Sequence, residues 1–129
     1  MDKVQELNVY AILFYNNKIL VLRRNSGIWE FPGGGVDWGE HPDTSVVREV
    51  KEETSLDLVN PKFIGISSAT YAKDGNEKHS IYFVYRGAVN TDKITLCGEH
   101  TEYRWLFSEE IKFLKLGLNA ESALELLKE

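Results

Sequence analysis

The sequence predicts an α/β fold in a single domain over residues 1–129, a mixed β-sheet sandwiched between α-helices. Three observations predict it. Apolar, β-rich runs separated by short polar turns open the chain, an amphipathic helix interrupts them near the middle, and further strands lead to a closing helix. The length, 129 residues with 43% hydrophobic positions, suits one ordinary core. No repeat, low-complexity tract or Pro/Gly/Ser-rich linker divides the chain.

Val9 to Tyr15 (VYAILFY) and Lys18 to Leu22 (KILVL) flank Asn16-Asn17 and read as a β-hairpin, with Arg23 and Arg24 at its mouth. Ile28 to Phe31 reads as a short aromatic strand stopped by Pro32. Gly33, Gly34 and Gly35 then predict a loop with no regular structure. Pro42 suits the first turn of a helix running to about Thr54, with Asp43 near its positive end and Val46, Val47 and Val50 as its apolar stripe. His41 is a weak N-cap for that helix.

Beyond it the pattern predicts a strand near Lys62 to Tyr71, a turn over Lys73 to Lys78 and strands at Ser80 to Arg86 and Tyr103 to Phe107. A helical turn follows at Glu109 to Leu114, and the last helix covers Ala120 to Lys128 with Asn119 as its N-cap.

The formal charge of −5 disfavours a nucleic-acid polymer as partner, because polymer binding needs clustered Lys and Arg to replace condensed counterions. A small phosphorylated ligand remains open, provided that divalent cations sit between protein carboxylates and phosphates. No run approaches the roughly 20 apolar residues that span a bilayer, and Met1 to Leu7 is polar, so the expected location is the cytoplasm with no membrane partner. Cys97 is the single cysteine; it forms no internal disulfide and is expected as a small buried hydrophobe. Monomer and homodimer both remain open.

Glu49, Glu52 and Glu53 are spaced i, i+3 and i+4 and leave one face of the central helix within a turn. Such a triple costs ~0.2–0.5 kcal/mol per pair in a free helix, a penalty that a divalent cation reverses. A solvated acidic stripe would look the same in isolation. Its surroundings are more specific. Residues 34 to 56 read GGVDWGEHPDTSVVREVKEETSL, which resembles the Nudix box, G-x5-E-x7-R-E-U-x-E-E-x-G-U with U a bulky aliphatic residue. Residue frequencies put a chance match of the seven positions from Gly34 to Glu53 on the order of 10⁻⁶ for a chain this long. The preceding WEFPGG and the order of elements are similar to those of MutT-like members. Ser55 departs from the pattern, standing where the family has glycine at the helix exit.

The resemblance implies a hydrolase that cleaves a phosphoanhydride bond, with Mg²⁺ as cofactor (Mn²⁺ able to substitute) and a small nucleotide as substrate. It makes Glu49, Glu52 and Glu53 the catalytic, metal-binding carboxylates, with Glu49 first candidate for the base. Arg48 belongs to the same catalytic set as a scaffold, its guanidinium fork holding Glu40 or Glu49. Glu40 and Gly33 to Gly35 form the structural loop, and a side chain at Gly34 is expected to obstruct the approach of loop to helix. Glu99, six residues before Trp105, has the spacing of a further metal-binding glutamate in MutT-like members; a solvated loop acid is the alternative. Arg24 matches an arginine that contacts substrate phosphate. Asn119 matches an asparagine that reads a purine edge, in competition with its reading as a cap.

His79 and His100 lie outside the motif and are read as incidental. Tyr71, Tyr82 and Phe83 are left to the core. Glu77 is the reserve candidate for the base, since some relatives take it from a loop. The expected substrate is a (d)NTP, cut to a monophosphate and pyrophosphate. ADP-ribose, a nucleotide sugar and a dinucleoside polyphosphate are close alternatives, and a catalytically silent nucleotide-binding module is the alternative from another class.

Overall fold

Asn16 and Asn17 both take left-handed backbone, at φ 49° and 64°, the conformation that closes a two-residue hairpin with the twist of its strands. They join β1 (Lys3–Tyr15) to β2 (Lys18–Arg24). The computed structural model describes residues 2–128; Met1 and Glu129, the ends of the expected domain, lie outside them. The later elements are β3 (Trp29–Glu30), β4 (Gly33–Gly35), α1 (Pro42–Thr54), β5 (Lys62–Lys73), β6 (Asn76–Ala88), β7 (His100–Leu106), α2 (Ser108–Ile111) and α3 (Leu118–Leu126).

The sheet runs β3-β2-β1-β6-β5, with β4 paired to β1 and β7 to β2. It is mixed, as expected. β1 and β6 pair in parallel from Lys3↔Glu77 to Phe14↔Ala88, while the remaining ladders are antiparallel. Alternation along the central strands sends each strand's apolar residues to both faces. Val9, Ala11, Leu13, Leu20 and Leu22 meet Val46 and Val50 of α1. Ile12, Ile19 and Val21 meet Ile111, Ala120 and Ala123 of α2 and α3. Helices therefore cover both sides of the sheet.

Three local expectations change. Gly33–Gly35 is a short strand, its residues opposite Tyr10, Val9 and Asn8, and so not an irregular loop. Glycine's poor strand propensity is overridden because a flat, side-chain-free ribbon is what fits between β1 and α1. Gly117, not Asn119, is the N-cap of α3. The Gly117 amide donates to Trp29 O at 2.9 Å, pinning the chain so that the helix begins one residue before Asn119. Cys97 is exposed, against the expectation of a buried thiol, because residues 91–97 form an irregular segment outside the sheet.

His41 does cap α1, its Nδ1 accepting from the Asp43 amide at 3.3 Å, and the Tyr85 hydroxyl donates to Asp43 from the sheet. The exit carries strain. Ser55 sits at φ 66°, ψ 11°, a left-handed cap that an L side chain resists. Ser55→Gly is expected to stabilise the fold by about 0.5–1 kcal/mol, part of the relief being offset by glycine's greater freedom in the unfolded chain. Urea unfolding at constant slope checks this; an unchanged midpoint would contradict the strain.

Candidate active site

The pairing of β4 with β1 brings Gly34 under Glu49. A Cβ built on Gly34 would lie 2.7 Å from the Glu49 carboxylate, so only glycine lets the helix face and the strand approach this closely. Gly33 is equally confined, by the Val9 carbonyl and the Tyr10 ring. Its amide donates to Glu53 Oε1 at 2.7 Å, which fixes that carboxylate against the strand.

Arg48 ties the acids together. Its Nε and Nη2 each donate to Glu40 at 2.9 Å as a bidentate fork, and its Nη1 donates to Glu49 at 3.0 Å and Glu52 at 3.1 Å. Nη2 also reaches Gly35 O at 3.0 Å, joining the helix to β4. The fork and the Ser45 hydroxyl hold the Glu40 carboxyl down at about 2, and the same contacts raise the Arg48 pKa. Arg48 thus contacts both Glu40 and Glu49, the two carboxylates its fork was expected to reach.

The other two acids are pushed the opposite way. Burial raises the Glu49 carboxyl above its ordinary range, and burial raises Glu53 to about 8. Burial, which strips water from the carboxylates, is the cause in both; carboxylate oxygens are hard donors of the kind Mg²⁺ and Mn²⁺ prefer. Arg48 occupies the space between Glu49 and Glu52, while Glu53 faces Gly33 and His100.

The sign of the pH dependence follows. A carboxyl whose folded pKa is raised binds its proton more tightly folded than unfolded. Its contribution is therefore fully present below the ordinary carboxylate range and is lost as pH rises toward about 8. Metal-free protein is expected to melt lower at pH 8.5 than at pH 6, roughly the two sides of that transition. Added Mg²⁺ should raise the midpoint more at the higher pH, since a ligand carboxylate must be ionised. Equal metal-induced shifts at both pH values would contradict this.

A second cluster lies beside the first and was only partly legible in the sequence. Glu30, Glu99 and His100 bring one donor atom each within 4.8 Å of one another. Glu30 is buried, although it was read only as part of WEFPGG, and accepts from His100 Nε2 at 2.7 Å and from Arg24 Nη1 at 3.2 Å. Burial opposes its charge, but the hydrogen bond from His100, the charge of Arg24 and the bond from Asn119 hold its carboxyl below the usual range. His100 is thus not incidental; its other nitrogen, Nδ1, stands 3.7 Å from Glu53 Oε2 and links the two clusters.

A register shift between Arg23 and Arg24 makes this possible, leaving Thr101 as an extra residue so that Arg24 faces His100. Arg24 Nη2 reaches Glu99 at 2.8 Å, whereas Arg23 turns to the Thr101 hydroxyl. Glu99, read as a possible fourth metal ligand, is exposed, pairs with Arg24 and contributes an oxygen to the group formed with Glu30 and His100.

Asn119 donates from Nδ2 to Glu30 Oε1 at 3.3 Å. Together with Tyr10, Arg24, Glu30, Tyr71 and Tyr82 it lines a cavity of about 310 Å³, so two of the tyrosines left to the core border the site. Glu77 does not. Its register partner is Lys3, six positions along β1 from Val9, a separation of about 20 Å at ~3.3 Å per residue.

Residues 4–127 match the NUDIX domain. The chain belongs to the Nudix family. The Nudix fold recurs in a MutT protein from Methanosarcina mazei Go1, 30% identical, with a TM-score of 0.80 over 99% of this chain and 94% of that one. An ADP-ribose pyrophosphatase from Methanocaldococcus jannaschii is 35% identical over 59% of this chain and 47% of its own length. An 8-oxo-dGTP diphosphatase from Buchnera aphidicola is 26% identical over 81% and 79% respectively. Against three other curated relatives this Nudix chain spans only 48–59% of their length. No helix among the described residues is long and apolar enough to cross a membrane.

Proposed function

We propose that this chain is a Mg²⁺-dependent pyrophosphohydrolase of one domain, cutting the phosphoanhydride of a (d)NTP to give a monophosphate and pyrophosphate. The observation that carries the reading is the face of α1 that bears Glu49, Glu52 and Glu53, with Glu49 and Glu53 against the glycine strand and Arg48 joining Glu49 and Glu52 to Glu40. Glu49, Glu52 and Glu53 would hold the cation; Mg²⁺, when bound there, supplies charge neutralisation for the phosphate oxygens and acidifies water.

The protein's own groups do the rest. Glu49, half-buried and raised above the ordinary carboxylate range, is placed to take the proton of the attacking water. Arg48 holds Glu49 and Glu52 in place. Arg24, half-exposed at the rim, presents its guanidinium to phosphate, and Asn119 contacts the base from the floor of the cavity. Glu99, through Arg24, sets the position of that cation and is a further ligand candidate. The substrate is small, because the net charge of −5 offers no basic track for a polymer.

The relative named for ADP-ribose favours a second reading, in which the same centre cuts a nucleoside diphosphate linked to a sugar. A screen of canonical and oxidised (d)NTPs, ADP-ribose, nucleotide sugars and dinucleoside polyphosphates, with and without Mg²⁺, separates them by product. Pyrophosphate release from a triphosphate is the expected result. Cleavage confined to ADP-ribose or a nucleotide sugar would move the substrate to the second reading. No cleavage with Mg²⁺ or Mn²⁺ would overturn the hydrolase and leave a nucleotide-binding module.

A further inference from the structure

The His100 side chain is wholly buried at the start of β7, between carboxylates from two other elements. On one side its Nε2 lies 2.7 Å from Glu30 Oε2. Glu30 also receives Arg24 and Asn119, and a carboxylate in that company has no proton to give, so Nε2 is the donor. The other nitrogen, Nδ1, is buried and has no hydrogen-bond partner among the described residues. A buried polar atom in that state is costly enough that a partner is to be expected. The charged group it faces is the Glu53 carboxylate, with Oε2 at 3.7 Å.

Glu53 needs such a contact. Its Oε1 accepts from the Gly33 amide at 2.7 Å, and one bond alone lets a carboxylate turn about it. A second contact, at Oε2, fixes its plane. The His100 ring is held where it can supply that contact, because Nε2 is anchored on Glu30 and the bulge beside Arg24 sets His100 opposite the end of β2. Closing 3.7 Å to a hydrogen bond asks for a shift of less than about 1 Å. We propose that His100 is a positioning residue for the cation site: anchored through Nε2 on Glu30, it meets Glu53 Oε2 through Nδ1 and sets the orientation in which that carboxylate faces a divalent cation. The inference rests on the reading of Glu53 as a cation ligand. The contact takes one proton, shared between Nδ1 and Oε2, and one lone pair of that oxygen, so the rest of the carboxylate stays open.

Asparagine and glutamine separate the two ring nitrogens. An asparagine NH₂ falls near the Nδ1 position and a glutamine NH₂ near the Nε2 position, and each is a donor. Mn²⁺ is titrated into each protein without nucleotide, and the free ion is followed by electron paramagnetic resonance. His100→Asn is expected to bind Mn²⁺ within about threefold of the wild type and His100→Gln about tenfold more weakly, both keeping the circular dichroism of the wild type. A packing role alone would favour glutamine, which fills more of the buried volume and keeps the bond to Glu30.

Metal-free protein gives a second readout. In a long-range ¹H–¹⁵N spectrum the ring nitrogens of His100, assigned by their loss in His100→Asn, are expected to move on Glu53→Gln while those of His41 and His79 stay in place. Unmoved His100 resonances, or Mn²⁺ affinity in His100→Asn no better than in His100→Gln, would overturn the proposal. Should His100→Gln fail to fold, the ring-nitrogen shift and the affinity of His100→Asn decide. Absence of saturable Mn²⁺ binding by the wild type would overturn the cation site and this inference with it; saturable binding indifferent to both His100 variants would overturn this inference alone.

Discussion

Glu53→Gln is expected to lower turnover at least about a hundredfold while leaving the fold intact, the largest effect of any isosteric change in this protein. The substitution keeps size and removes charge. Glu53 Oε1 accepts the Gly33 amide at 2.7 Å and the other oxygen faces His100, so a glutamine oxygen keeps the first contact and its NH₂ falls on the side where a cation needs an anionic donor. The metal-free variant should be no less stable than the wild type at pH 8.5, because the buried carboxylate that resists ionisation there has been neutralised. Turnover within a few fold of wild type at limiting Mg²⁺, measured on whichever substrate the screen identifies, would contradict the assignment.

Arg48→Ala is expected to cost both activity and about 2–4 kcal/mol of stability. The Arg48 side chain is 26% exposed and donates to Glu40, Glu49 and Glu52 and to the Gly35 carbonyl. Without it three carboxylates face one another with no compensating charge. The buried part of that network then carries an unpaired charge rather than losing a surface ion pair, which alone would be worth little. Lysine offers one point charge in place of a planar fork and should recover only a fraction of the loss. Urea unfolding and steady-state kinetics on Arg48→Ala and Arg48→Lys check both parts. Full stability with full activity in the alanine variant would remove Arg48 from the scaffold.

What was legible in the sequence was local. The i, i+3, i+4 spacing of Glu49, Glu52 and Glu53 is a property of one helical turn, and the Asn16-Asn17 turn is a property of two residues. The order of strands, central helix, strands and closing helix was enough to predict a sheet between helices, and two apolar clusters with helices on either side are what the fold has.

The rest depended on register. Glu30 and His100 are 70 residues apart, and nothing near either one announces the pair; the irregularity beside Arg24 that aligns them is created when β2 meets β7. Glu30 did offer one hint, an acid flanked by Trp29 and Phe31 in a short apolar run, which marks a buried charge that needs partners. Asn119 misled for a related reason. Its type suits an N-cap, but the bond from the Gly117 amide to Trp29 starts the helix earlier and frees the Asn119 amide for Glu30. Gly33 to Gly35 read as a break because their partner, Asn8 to Tyr10, lies far back in the chain.

The central claim is that the acidic face of α1 is a divalent-cation site, and direct Mn²⁺ binding tests it most simply. Mn²⁺ is titrated into wild type and Glu53→Gln in the absence of nucleotide, and the free ion is read from its electron paramagnetic resonance signal. The account predicts saturable binding by the wild type that is tighter at pH 8.5 than at pH 6, as Glu53 gives up its proton, and at least about tenfold weaker in Glu53→Gln. Identical Mn²⁺ binding by the two proteins at pH 8.5 would contradict it.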